Sequence, residues 1–226
     1  MSNRSTKVEN RKMFAPSEIV LITILGLLLC ITILASVLSC VAVSMHTSNI
    51  FSKNMIKTFV YSLVSAVVLY VVGFGIKNER INLKDWLIIA FYMSIFVLVN
   101  VYNVFDLYDI LVLNILAQLV QGVMYAIIGV SIYYNYLKNE QNRVKAKAIV
   151  VCIFALTFSI AFGFVVELVK YLASLIFAST FYSFGHVALN VLINIIGALA
   201  IDIVFYFSLK SDKKVINACL IDIQND

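Results

Sequence analysis

Six apolar runs divide this chain, at about 18–44, 56–76, 85–104, 108–136, 147–170 and 184–209. Each reaches or exceeds the roughly 20 residues that carry an α-helix across the hydrocarbon of a bilayer. In hydrocarbon, backbone N–H and C=O groups have no water to bond, so only helices and closed barrels can span it. The runs contain few glycines and no period-two alternation, which argues against a barrel. The expected fold class is therefore all-α: a polytopic helical membrane protein with about six transmembrane helices. Composition agrees, with 62% hydrophobic and only 13% charged residues, against about 25% charged in an ordinary soluble domain. Several runs exceed the minimum length, so tilt or projection into the interface is expected.

The basic residues orient these helices. With both termini in the cytoplasm, 14 of the 17 lysines and arginines lie inside, and only Lys53, Lys57 and Lys170 lie outside. Cytoplasmic loops carry such an excess in membrane proteins generally. The net charge of +5 is thus explained by topology, and nucleic acid is not expected as a partner. The organisation read from this pattern is a cytoplasmic segment 1–17, a six-helix domain 18–210 and a cytoplasmic tail 211–226 without a readable motif. The lone Trp86 reads as an inner interface anchor, and the aromatic stretch 171–186 as an amphipathic segment lying in the outer interface. The N-terminal run is too long for a signal-peptide core and lacks a convincing small-residue cleavage site, so it reads as a first spanning helix. Cys30, Cys40, Cys152 and Cys219 show no metal or CxxC spacing and read as small packing residues.

Polar residues at bilayer depth are costly, and therefore informative. Ala155, Ser159, Gly163 and Glu167 recur every four residues on the fifth run, a row of small side chains that lets another helix approach closely. The sixth run answers with Asn190, Asn194, Ala198 and Asp202, with Gly197 beside them. The fourth run adds Asp109, Asn114, Gln118 and Gln121. Counted by helical rise from the inner loops, Glu167 sits about 30 Å along its helix, near the outer boundary, at the depth of Asn114, Gln118, Asn190 and Asn194. A polar pocket opening outward between these three helices is the expectation, with Lys170 as the local counter-ion of Glu167. The competing reading is that the amides join helix to helix, at roughly 0.5–1.5 kcal/mol each. A weak internal echo links "VLNILAQLVQG" (112–122) to "ALNVLINIIGA" (188–198), matching Asn114 with Asn190 and Gln118 with Asn194.

Three stretches in order, "DILVLN" (109–114), "GFVVELVK" (163–170) and "NVLINIIGAL" (190–199), resemble the signatures of the YjdF-type prokaryotic membrane proteins and, more distantly, of VanZ proteins, which are associated with glycopeptide resistance. The resemblance covers roughly 85–210. Asp109, Glu167, Gly197 and Ala198 keep the family pattern. Val166 stands where the family has Trp, Lys170 where it has a second Glu, Asn190 and Asn194 where it has two Asp, and Leu113 where it has His. A cation or acid–base site of the family is thus reduced here to a nearly neutral, hydrogen-bonding one. The resemblance implies a prokaryotic inner membrane.

No catalytic set is complete: GxSxG, HExxH and phosphate-loop motifs are absent, and His46 and His186 lie in different outer loops. No metal or cofactor is expected. The functional expectation is a multi-pass cell-membrane protein binding an outward-facing amphiphile or lipid-linked envelope component, its partners being the bilayer and a lipid-like or small-molecule ligand. The alternatives are a small transporter or ion pathway, and a structural or regulatory membrane subunit.

Overall fold

In the computed structural model the described residues are Cys30, Leu34, 83–102, 107–139, 147–177 and 183–220. The first two apolar runs, apart from Cys30 and Leu34, lie outside them. Every regular element among the described residues is helical: α1 (Asp85–Phe96), α2 (Leu111–Asn139), α3 (Ala148–Phe177), α4 (Phe184–Lys210) and α5 (Lys214–Cys219). Three of these, over Leu111–Tyr136, Ala148–Leu172 and Phe184–Lys210, are long and apolar enough to cross a membrane. α1 is shorter and continues as a wider π-type turn over Val97–Val101.

α2, α3 and α4 pack pairwise into a three-helix bundle. Their closeness comes from glycine. A Cβ at Gly122 would collide with the carbonyl oxygen of Asn194, and one at Gly197 with the carbonyl oxygen of Leu119. The two helices therefore touch backbone to backbone, as small residues permit in membranes. Gly129 meets Ala155 in the same way between α2 and α3, its Cβ position being 3.1 Å from the Ala155 Cα. The opposite faces carry Ile153, Phe164, Val165, Leu192, Ile196 and Ile203, all exposed, as an apolar surface suited to lipid or to other helices.

The structure adds detail to two stretches read from the sequence. Of the stretch 171–186, α3 runs unbroken through Tyr171–Phe177 and α4 begins at Phe184, while 178–182 lie outside the described residues. Alanine, leucine and isoleucine there are compatible with helix, and no Pro or Gly interrupts before Gly185. The C-terminal tail is also partly folded. After a left-handed residue at Lys213, α5 turns back so that the Lys84 amide donates to the Cys219 carbonyl at 3.0 Å and Leu83 bridges Leu220. Trp86 donates its indole N–H to the Ala218 carbonyl at 3.0 Å. Ile216, Cys219 and Leu220 join Leu83 and Ile88 in the main core.

Candidate functional site

The two four-residue rows meet at the Glu167 end, while Ser159 and Ala155 face α2: the Ser159 hydroxyl donates to the Gly122 carbonyl at 3.2 Å, and the Ala155 Cα lies 3.1 Å from the would-be Cβ of Gly129. Ala155, Ser159, Gly163 and Glu167 are all buried, as are Asn190, Asn194, Ala198 and Asp202. Glu167 pairs with Asn190, and Gly163 lies against Asn194, whose Nδ2 is 3.3 Å from the glycine's would-be Cβ. The two helices run in opposite directions, so the step of four from Glu167 to Gly163 on α3 answers the step of four from Asn190 to Asn194 on α4.

At the Glu167 end of this seam lies a continuous chain of hydrogen bonds. Glu167 is 0% exposed. Its Oε1 accepts from Lys170 Nζ at 2.6 Å and its Oε2 from Asn190 Nδ2 at 2.9 Å. Asn190 Oδ1 accepts from Asn114 Nδ2 at 3.2 Å, and Asn114 Oδ1 accepts from Gln118 Nε2 at 3.4 Å. Five of the residues singled out from sequence are thereby joined across three helices. The echo positions Asn114 and Asn190 touch directly. Asn194 stands one turn inward, buried and outside the chain of bonds. Asp109 is exposed in the short turn Leu107–Asp109 that precedes α2 and stands apart from it.

These five polar side chains bond to one another. Lys170 is the more exposed of the two charged members, its side chain 21% exposed against 0% for Glu167. Its ammonium lies 5.5 Å from the ring centre of Tyr108, a cation–π distance. Tyr108 in turn stacks obliquely on Tyr102, centroids 5.0 Å apart, and donates its hydroxyl to the Leu98 carbonyl at 2.8 Å. Sequence reasoning missed Tyr108. The aromatic character of the 100–109 loop was legible, but the contact joins residues 62 positions apart (108 to 170), which no local spacing reveals.

Two apolar grooves of about 150 and 270 Å³ lie elsewhere, along α1 and α2, lined by residues such as Leu87, Phe91 and Ile127 in one and Val97, Tyr102 and Leu116 in the other. Neither is lined by Glu167 or its partners. Among the described residues no group of three His, Cys, Asp or Glu side chains could hold a metal ion. Cys152 and Cys219 are buried free thiols and Cys30 an exposed one; His186 bonds locally to Ser183, 2.8 Å from its hydroxyl.

Fold and site together define a helical membrane protein with a buried polar cluster between three apolar helices. Comparison with known proteins adds nothing further: no family model, curated protein or solved structure matches the chain.

Proposed function

We propose that this is a multi-pass prokaryotic cell-membrane protein, with six spanning helices and both termini cytoplasmic, that binds the headgroup of an anionic amphiphile or lipid-linked envelope component at the outer end of α2, α3 and α4. The kinship to YjdF-type and VanZ proteins belongs to the same proposal and rests on the three signatures. Lys170 carries the reading. An ammonium has three N–H donors, and Glu167 takes one. The cation is held at the exposed edge of the cluster, beside two tyrosine rings of the kind that sit at headgroup level. Phosphate or carboxylate oxygens suit such a site, while Asn114 and Asn190 fix the carboxylate that fixes the lysine.

Thermal melts of the purified full chain with dodecyl phosphate or dodecylphosphocholine test this. The anionic amphiphile should raise the Tm of the wild-type protein more than the zwitterionic one, and Lys170→Met should abolish the difference. Equal stabilisation by both amphiphiles would exclude the site.

A second reading, a small transporter or ion pathway, is favoured by one observation. The polar row continues inward from Asn190 through Asn194 to Asp202, about 18 Å of helix, and both carboxylate oxygens of Asp202 are buried without a protein partner. Flux of protons or monovalent ions in proteoliposomes, lost in Asp202→Asn, would favour this reading over headgroup binding.

A further inference from the structure

Nearly every buried polar atom in a folded protein has a hydrogen-bond partner, and the exceptions call for a specific explanation. One helical turn inward of Glu167 the seam breaks this pattern. Asn194 is 1% exposed, yet neither its Oδ1 nor its Nδ2 meets a protein partner. Gln118 and Gln121, both buried, each leave Oε1 unpartnered. The backbone of Asn194 meets α2 at Gly122, which follows Gln121 directly and Gln118 by one helical turn. On the third side stands Gly163 of α3, which presents no side chain to Asn194. Three acceptor oxygens and one amide nitrogen are thus left without protein partners within about one turn of the Gly122–Asn194 contact.

We propose that Gln118, Gln121 and Asn194 form an internal hydration site, in which bound water bridges α2 and α4 beside Gly163 of α3, directly inward of the Glu167 cluster. Water fits the donor set better than a metal ion does. Asn194 Nδ2 needs a lone pair, which water supplies and a cation lacks. A water also gives two protons to acceptors, and buried waters typically make about three hydrogen bonds. Exchanging Oδ1 and Nδ2 of Asn194 changes nothing, because both positions lack a partner. The Glu167 carboxylate is then backed by ordered water on its inner side, and the polar column extends toward Asp202. This inference stands independently of what binds at Lys170.

Water-edited solid-state NMR of the full chain in lipid bilayers tests it, with asparagine side-chain amides labelled. The Asn194 signal is identified by its loss in Asn194→Leu or, if that variant does not fold, in Asn194→Gln. The expected result is magnetisation transfer from water to the Asn194 amide despite its burial. Absence of transfer overturns the proposal. Stability supplies a second arm, with opposite signs for the two cases. In a dry seam Asn194→Leu removes two unpartnered atoms and raises the Tm. In a hydrated one it displaces the water, leaves the glutamine oxygens stranded and lowers the Tm. A rise therefore also overturns the proposal. A Tm that increases in sodium or potassium chloride over choline chloride at equal ionic strength overturns it too, in favour of a bound metal cation.

Discussion

Glu167 and Lys170 sit in an apolar helix because each offsets the other's cost there. The carboxylate is wholly buried and the lysine is not, so the two halves of the pair are unequal. Lys170→Met leaves an uncompensated buried charge, for which losses of about 3–5 kcal/mol are typical. Glu167→Gln leaves a cation that can extend to the headgroups, and the amide oxygen can still accept from Asn190. It should therefore cost less. Thermal melts of the four variants check this ordering: Lys170→Met below Glu167→Gln, with the double variant recovering part of the loss. Strictly additive losses would show that the 2.6 Å contact carries no coupling energy.

At the scale of the helix, the glycines decide how closely α2, α3 and α4 approach. The glycines differ sharply in what surrounds them. Gly122 and Gly197 abut carbonyl oxygens of the facing backbone, whereas Gly163 faces the movable end of the Asn194 side chain. Gly122→Ala and Gly197→Ala should thus force the helices apart and reduce the yield of monodisperse protein severely. Gly163→Ala should be tolerated with a small fall in Tm, since Asn194 need shift only by a few tenths of an ångström. Gly163→Leu should be worse than Ala155→Gly, because it overfills a close contact instead of loosening one. Size-exclusion profiles and melts in one detergent compare all five. Equal behaviour of Gly122→Ala and Gly163→Ala would contradict the packing.

For the whole molecule, topology and the closure of the bundle by α5 each carry a prediction. The basic asymmetry predicts that reporter fusions at residues 106 and 142 read outside and inside respectively; the reverse pattern would discard the six-span arrangement. Closure concerns α5, which ties the end of α4 to the start of α1 through Lys84, Trp86 and Leu83. Truncation after Asp212 removes the buried Ile216, Cys219 and Leu220 together with these bonds. It should lower the Tm well beyond what Trp86→Phe does, since the single change forfeits one hydrogen bond worth about 0.5–1.5 kcal/mol. A truncated chain as stable as the full one would show that α5 is dispensable to the fold.

Helix and membrane were legible in the sequence because they follow from local rules. Long apolar runs must be helical in hydrocarbon, and their flanking charges orient them. The seam was legible for a similar reason: a period of four places Ala155, Ser159, Gly163 and Glu167 on one face whatever that face meets. The Glu167–Lys170 pair needed only a spacing of three on a helix. Tertiary structure alone decided the rest. That Asn114 bonds Asn190 and not Asn194, that Tyr108 covers Lys170, and that Asn194 is left without a partner all depend on the vertical register of three helices. That register is set by glycine contacts between distant segments, and a shift of one residue rotates a helix by about 100° and replaces every contact on its face. The tail shows the same division. Its apolar residues are scattered too briefly to announce a helix, and α5 exists because Leu83 and Ile88 of another segment give it a surface on which to fold.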